Sequence, residues 1–147
     1  MTDPEVVSFG LDDKHFTLNF SKSEVKCKCG KCTGLPTSPE GLDKFMWALR
    51  NLQSIRDQYG KPMRLSSGYR CPDHNTSVSS TGRNGPHTQG AFDVLVYGRE
   101  ARDLLVAAMN SRAIPTGIGI SQKGPHGSRF IHFDWLGSVA RPNVWSY

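Results

Sequence analysis

At 147 residues the chain has room for one domain of ordinary size, roughly 100–150 residues, and for no second core. Hydrophobic residues make up 37% and charged residues 21%, with 7 Phe, 4 Tyr and 3 Trp, which is enough apolar bulk to exclude a disordered chain. The formal charge of +5 favours anionic partners such as nucleic acid or a bacterial wall. The basic residues are scattered, no two are adjacent, and no aromatic residues interleave them as in an RNA-binding sheet, so no specific nucleic acid is expected.

In chain order, residues 1–10 lack the basic start and apolar stretch of a signal peptide, and no apolar run approaches the roughly 20 residues that cross a bilayer. The expectation is a chain made in the cytoplasm, with no export signal of its own and no transmembrane segment. Cys27, Cys29 and Cys32 follow in a Gly-containing cluster that runs to Gly34. Leu42, Phe45, Met46, Leu49, Leu52 and Ile55 then recur at helical spacing, with Ser38 as N-cap, Pro39 at the first position and Gly60 as the stop. Short strands are predicted at Met63–Ser66, Ala91–Val96, Thr116–Ile120 and Phe130–Asp134, each bounded by Gly, Pro or Ser. A second helix is predicted from Arg99 to Asn110, with Ala101, Leu104, Leu105, Ala108 and Met109 as its apolar stripe. Helices and strands alternate without a βαβ rhythm. The pattern therefore predicts an α+β domain with a small, mostly antiparallel sheet and flanking helices.

Three stretches carry residues suited to chemistry. Ser66–Asn75 leaves a predicted strand through Gly68 and presents Arg70, whose guanidinium can pair with a carboxylate or a carbonyl oxygen, or serve a structural salt bridge. Gly85–Asp93 places His87 in a loop ahead of a strand that carries Asp93. In Phe130–Asp134 the strand alternation puts His132 and Asp134 on one face and Ile131 and Phe133 on the other, which on that pattern alone also suits the polar outer face of an edge strand. A catalytic zinc takes three ligands of the His and carboxylate type and keeps one open position, and His87, Asp93 and His132 make such a set.

Taken in order, Ser67-Gly68-Tyr69-Arg70, then His87 with Gly90 and Asp93, then Phe130-Ile131-His132-Phe133-Asp134 resemble the zinc D-Ala-D-Ala carboxypeptidase family, peptidase M15, and most closely its small phage and bacterial branch. The likeness runs from near Phe20, through the segment SKSEVKCKCGKC and the Leu42 helix, to Trp135. It implies the fold shared with hedgehog signalling domains, zinc bound by His87, Asp93 and His132, and Arg70 at the substrate or the developing oxyanion. Two departures stand out: the family usually has one more residue between the ligand His and Asp, and Arg129 stands where many members place a Glu as general base. Asp134 is the expected replacement for that base.

The implied activity is metal-assisted hydrolysis of an amide in the peptide stem of bacterial peptidoglycan, by a carboxypeptidase or endopeptidase of D,D- or L,D-type, in phage lysis or as a virion component. The alternative is a non-catalytic wall-binding or virion structural module with a structural zinc. A single monomeric domain over residues 1–147 is expected, with residues 1–19 as an N-terminal extension and 136–147 as a C-terminal tail. His15, His74 and His126 are expected to be dispensable as ligands. Cys27, Cys29, Cys32 and Cys71 suit either a four-thiolate structural metal site or two disulfides, and the Cys-x2-Cys spacing and a reducing compartment tilt the reading to metal or free thiols.

Overall fold

The computed structural model describes residues 16–138 and 140–147. A single helical turn, α1 (Lys22–Val25), precedes the Cys-rich segment. The long helix α2 (Pro39–Tyr59) starts where the sequence sets it. The Ser38 side chain accepts a hydrogen bond from the Gly41 N–H at 3.0 Å, Pro39 opens the first turn, and Gly60 closes the last in the left-handed region at φ 73°. Its inward stripe buries Phe45, Ala48, Leu49, Leu52 and Ile55, while Leu42 and Met46 flank it half-buried. Burial of each such large side chain stabilises the fold by about 1.5–3 kcal/mol relative to exposure.

Five strands form one sheet: β1 (Arg64–Ser67), β2 (Ala91–Leu95), β3 (Gly117–Ser121), β4 (Phe130–Asp134) and β5 (Asn143–Ser146). Their order is β1-β2-β4-β3-β5, antiparallel throughout except for the parallel pair β3 and β5. The register lines up Phe92 with Phe133 and Ile118, and Val94 with Leu65, Ile131 and Ile120. These apolar residues share one face of the sheet and belong to the same core as the buried stripe of α2. The helix α5 (Gly98–Asn110) packs against α2 and buries Ala101, Leu104, Ala107 and Ala108. Its buried arc leans toward Ala107, which leaves Met109 54% exposed rather than in the expected stripe. Two shorter helices, α3 (Pro72–Val78) and α4 (Pro86–Gln89), lie between β1 and β2.

Both ends of the described chain differ from the sequence expectation. Phe16 and Phe20 enter the core, and the buried Thr17 hydroxyl donates to Gln53 Oε1 at 2.7 Å, so residues 16–19 pack with the domain rather than extend from it. The segment expected to be a tail after Leu136 supplies β5, which pairs with β3 from Gly117 to Ile120. Among the described residues no helix is long and apolar enough to cross a membrane.

Candidate active site

The sheet face opposite the core carries the polar residues. Asp93 on β2 is registered directly against His132 on β4, and Ser67 on β1 against Asp93, so their side chains rise from the same face. The small helix α4 brings in His87 across the turn at Gly90. There φ is 151° and the Ala48 methyl lies 2.8 Å from where a Cβ would sit, so the chain can cross close to α2 only with glycine. The short spacing between His87 and Asp93 is accommodated by this turn: His87 Nε2 lies 3.3 Å from Asp93 Oδ1. His132 Nδ1 lies 2.9 Å from the same oxygen. One ligand atom from each of the three residues falls within 4.8 Å of the other two, and all three side chains are buried.

The outer nitrogen of each imidazole is already engaged. His87 Nδ1 is 2.8 Å from the Gly68 carbonyl oxygen, which can only accept, so Nδ1 carries the proton and Nε2 points its lone pair inward. His132 Nε2 is 2.8 Å from Asp134 Oδ2, which by the same logic leaves Nδ1 as the inward acceptor. In the neutral rings two lone pairs and a carboxylate therefore converge, and either a cation or a further proton answers them, the proton turning an imidazole into an imidazolium that donates to Asp93 Oδ1. Burial raises the Asp93 pKa, but hydrogen bonds with His132 and His87 outweigh it and hold the carboxyl well below the usual range. Burial lowers the His132 pKa, and Asp134 with Asp93 reverses that and raises it. The donor set of two imidazoles and one carboxylate is the one a catalytic zinc takes, and the fixed outer hydrogen bonds are those that orient metal-binding histidines.

Asp134 stands elsewhere than the sequence expectation puts it. It shares the His132 face of β4, but its carboxylate lies on the outer side of the ring and has no exposed surface. Both oxygens are committed: Arg141 Nε donates to Oδ1 at 2.9 Å, Arg141 Nη2 donates to Oδ2 at 2.7 Å, and the Leu136 N–H reaches Oδ1 at 3.3 Å. Burial pushes the Asp134 pKa up, and His132 with Arg141 more than offsets it, so the group stays ionised. Sequence reasoning missed Arg141 because nothing local in Arg141-Pro142-Asn143 signals a partner two strands away.

It missed the aromatic wall as well. The Trp145 ring on β5 packs 5.3 Å from the His132 ring and under the Arg141 guanidinium at 4.8 Å, between centroids and to the centroid respectively. Gly117 and Gly119 make room for this. A Cβ at Gly119 would come within 2.7 Å of the Trp145 ring, and one at Gly117 would collide with the Asp134 carboxylate and with Arg141. The Gly-Ile-Gly-Ile alternation of β3 is the one sequence signal that could have shown a crowded site face.

Arg70 sits at the rim. Its Nε donates to Ser67 Oγ and its Nη1 to Asn75 Oδ1, each at 3.0 Å, while Nη2 lies 3.6 Å from Asp93 Oδ2. Two arms of the guanidinium are thus clamped and the third is aimed at the His–Asp–His group. The cavity in front has a volume of about 430 Å³ and is bordered by Arg70, His87, His132, Trp145 and Tyr147. Asp93 is the only carboxylate among its described lining residues.

The four cysteines also meet, away from this cavity. Their sulfurs lie within 4.8 Å of one another, and none is in a disulfide. The Lys31 N–H draws the Cys29 thiol down to about 6, whereas burial pushes Cys32 up to about 12. Of the remaining histidines, His74 is on α3 and His126 stacks on Tyr97, both outside the two groups, and His15 lies outside the described residues.

The peptidase M15 family model matches residues 18–134, most of the chain. Among curated proteins none matches. The chain belongs to the peptidase M15 family, and its five-stranded, mostly antiparallel sheet with flanking helices agrees with the hedgehog/DD-peptidase fold.

Proposed function

We propose that this member of the peptidase M15 family is a zinc-dependent hydrolase that cleaves an amide in the peptide stem of peptidoglycan, with His87, Asp93 and His132 as the metal ligands. The observation that carries the reading is the convergence of His87 Nε2 and His132 Nδ1 on Asp93 Oδ1, with each outer nitrogen locked as a donor. Bound there, zinc supplies Lewis-acid activation of water and of a carbonyl oxygen. The chain's own residues do the rest. Asp134 and Arg141 hold the His132 ring in one tautomer and one orientation, which makes Asp134 a positioning residue rather than the proton shuttle expected from the strand pattern. Arg70 Nη2 is preorganised to bind a carbonyl oxygen that gains negative charge, or a free carboxylate next to the scissile bond. Trp145 and Tyr147 wall the cavity on the β5 side.

The alternative reading, a wall-binding or virion module with a structural zinc, is favoured by one feature: among the described residues that line the cavity, no carboxylate beyond the ligand Asp93 is placed to serve as general base. We further propose that the protein reaches the wall from within an infected cell or on a virion. Turnover of isolated stem peptides separates the readings. The hydrolase reading expects cleavage that stops with chelator and returns with added zinc; binding to the wall without cleavage under both conditions favours the module.

A further inference from the structure

We propose that Cys27, Cys29, Cys32 and Cys71 form a second metal site, a closed four-thiolate centre for Zn2+ that clamps the loop after α1 to the start of α3. Cys29 Sγ lies 3.5 Å from Cys32 Sγ and 3.8 Å from Cys71 Sγ. Four sulfurs placed about 2.3 Å from a central zinc in a tetrahedron are separated by about 3.8 Å, so the observed spacing matches that geometry.

The backbone is wrapped around sulfur acceptors. The Lys31 N–H points at Cys29 Sγ, the Gly34 N–H at Cys32 Sγ and the Cys71 N–H at Cys27 Sγ, each at 3.3 Å, and the His74 N–H points at Cys71 Sγ at 3.4 Å. Each of the four sulfurs thus receives one main-chain donor. A neutral thiol is a weak acceptor, whereas a thiolate is a strong one, so this arrangement suits anions. Four thiolates cannot gather within 5 Å, roughly the distance at which like charges strongly oppose ionisation, without a cation among them. Zinc leaves two negative charges over, and Lys26, Lys28 and Lys31 interleave the ligands in sequence.

Besides the Cys27 N–H bond to the Gly34 carbonyl at 2.9 Å and the packing of Cys29 and Leu35 on the core, little else holds this stretch. Between α1 and α2 there is no helix or strand, Cys27 is the one buried side chain there, and Gly30 and Gly34 turn the chain at φ 71° and 95°. The site joins two parts of the chain that matter to the cavity. Cys71 directly follows Arg70 and is the N-cap of α3, and the Tyr69 N–H donates to the Val25 carbonyl at 2.8 Å. With all four positions taken by protein the ion has no open coordination position, so its role is structural.

The test is elemental analysis of the full-length protein purified with zinc, anaerobically and without added reductant. A His87→Ala/His132→Ala variant removes the first site while leaving all cysteines in place, so folding of a cysteine variant is not required. The expected result is one zinc retained per chain in that variant. Its cobalt(II)-substituted form should show a thiolate-to-metal charge-transfer band that Cys32→Ser weakens, and the four thiols should be shielded in the native protein and all reactive after denaturation with chelator. A folded His87→Ala/His132→Ala variant with no zinc would overturn the proposal. Fewer than four thiols in the denatured, unreduced protein would also overturn it, in favour of disulfides.

Discussion

The His87–Asp93–His132 group and the cysteine group gather their ligands by opposite means. The first is built on strands: β2 and β4 fix Asp93 opposite His132 by register, the core beneath holds both strands, and Gly68 and Asp134 orient the rings from outside. The second is built on irregular chain, with three of its ligands in a loop and the fourth at a helix cap. A site on a sheet face is preorganised and its metal should be removable without loss of fold. A site made of loops needs its ion to exist, and that ion's binding energy is folding energy for the surrounding segment.

The largest effect expected on this comparison comes from Asp93→Ala, which removes the group on which both imidazoles converge. Metal analysis and peptide turnover should show the strand-built site emptied and activity lost, while circular dichroism and the cysteine-bound zinc stay at native levels. Retention of full metal content would mean that Asp93 is not a ligand.

Next comes Arg141→Ala. It leaves the fully buried Asp134 carboxylate with only His132 and the Leu136 N–H, and breaking a buried charge pair in this way costs about 3–5 kcal/mol. Chemical denaturation should record that loss. An unchanged midpoint would mean that water or another cation replaces the guanidinium.

Asp134→Asn tests whether orientation or proton transfer is the role of that residue. Loss of an outer partner to a ligand histidine typically weakens metal affinity by about 10–100-fold, and that shift in zinc titration is the expected outcome. A native zinc affinity combined with a fall in turnover of about 100–10,000-fold would instead restore Asp134 as the general base.

Gly119→Ala sharpens the picture of how the sheet face is packed, since the added methyl meets Trp145 at 2.7 Å. Overpacking of this kind costs about 1–3 kcal/mol, read in thermal denaturation, and should displace the ring that lines the cavity. The smallest effect belongs to Ser38→Ala at the α2 cap, remote from both groups, which should lower stability by about 1 kcal/mol and leave both metal contents unchanged.

Much of this frame was legible in the sequence for identifiable reasons. The α2 stripe and caps declare themselves through spacing and through Ser38, Pro39 and Gly60, and β2 and β4 show as short stretches rich in apolar residues between turn residues. The grouping of His87, Asp93 and His132 came from motif resemblance, since no periodicity relates His87 to Asp93, or Asp93 to His132, which are 39 residues apart. Strand alternation correctly put His132 and Asp134 on one face, but it carries no information on which ring nitrogen faces which neighbour. The part played by Asp134 is therefore set by tertiary packing around Arg141 and not by the strand pattern. The β5 strand escaped notice because Asn143–Ser146 has burial on neither face to impose a pattern, with Trp145 half-buried and its neighbours exposed. Its place is set by pairing with β3, a contact no local window contains.

The central claim, that the His–Asp–His group performs amide hydrolysis, is tested most directly by mass spectrometry of peptidoglycan fragments incubated with the zinc-loaded protein and with His132→Ala. The native protein should form products heavier by one water in total than the intact stem peptide, with a new amine and a new carboxylate, and the variant should form none. Stem peptides recovered intact from a native protein that has bound both its zinc and the wall would contradict it.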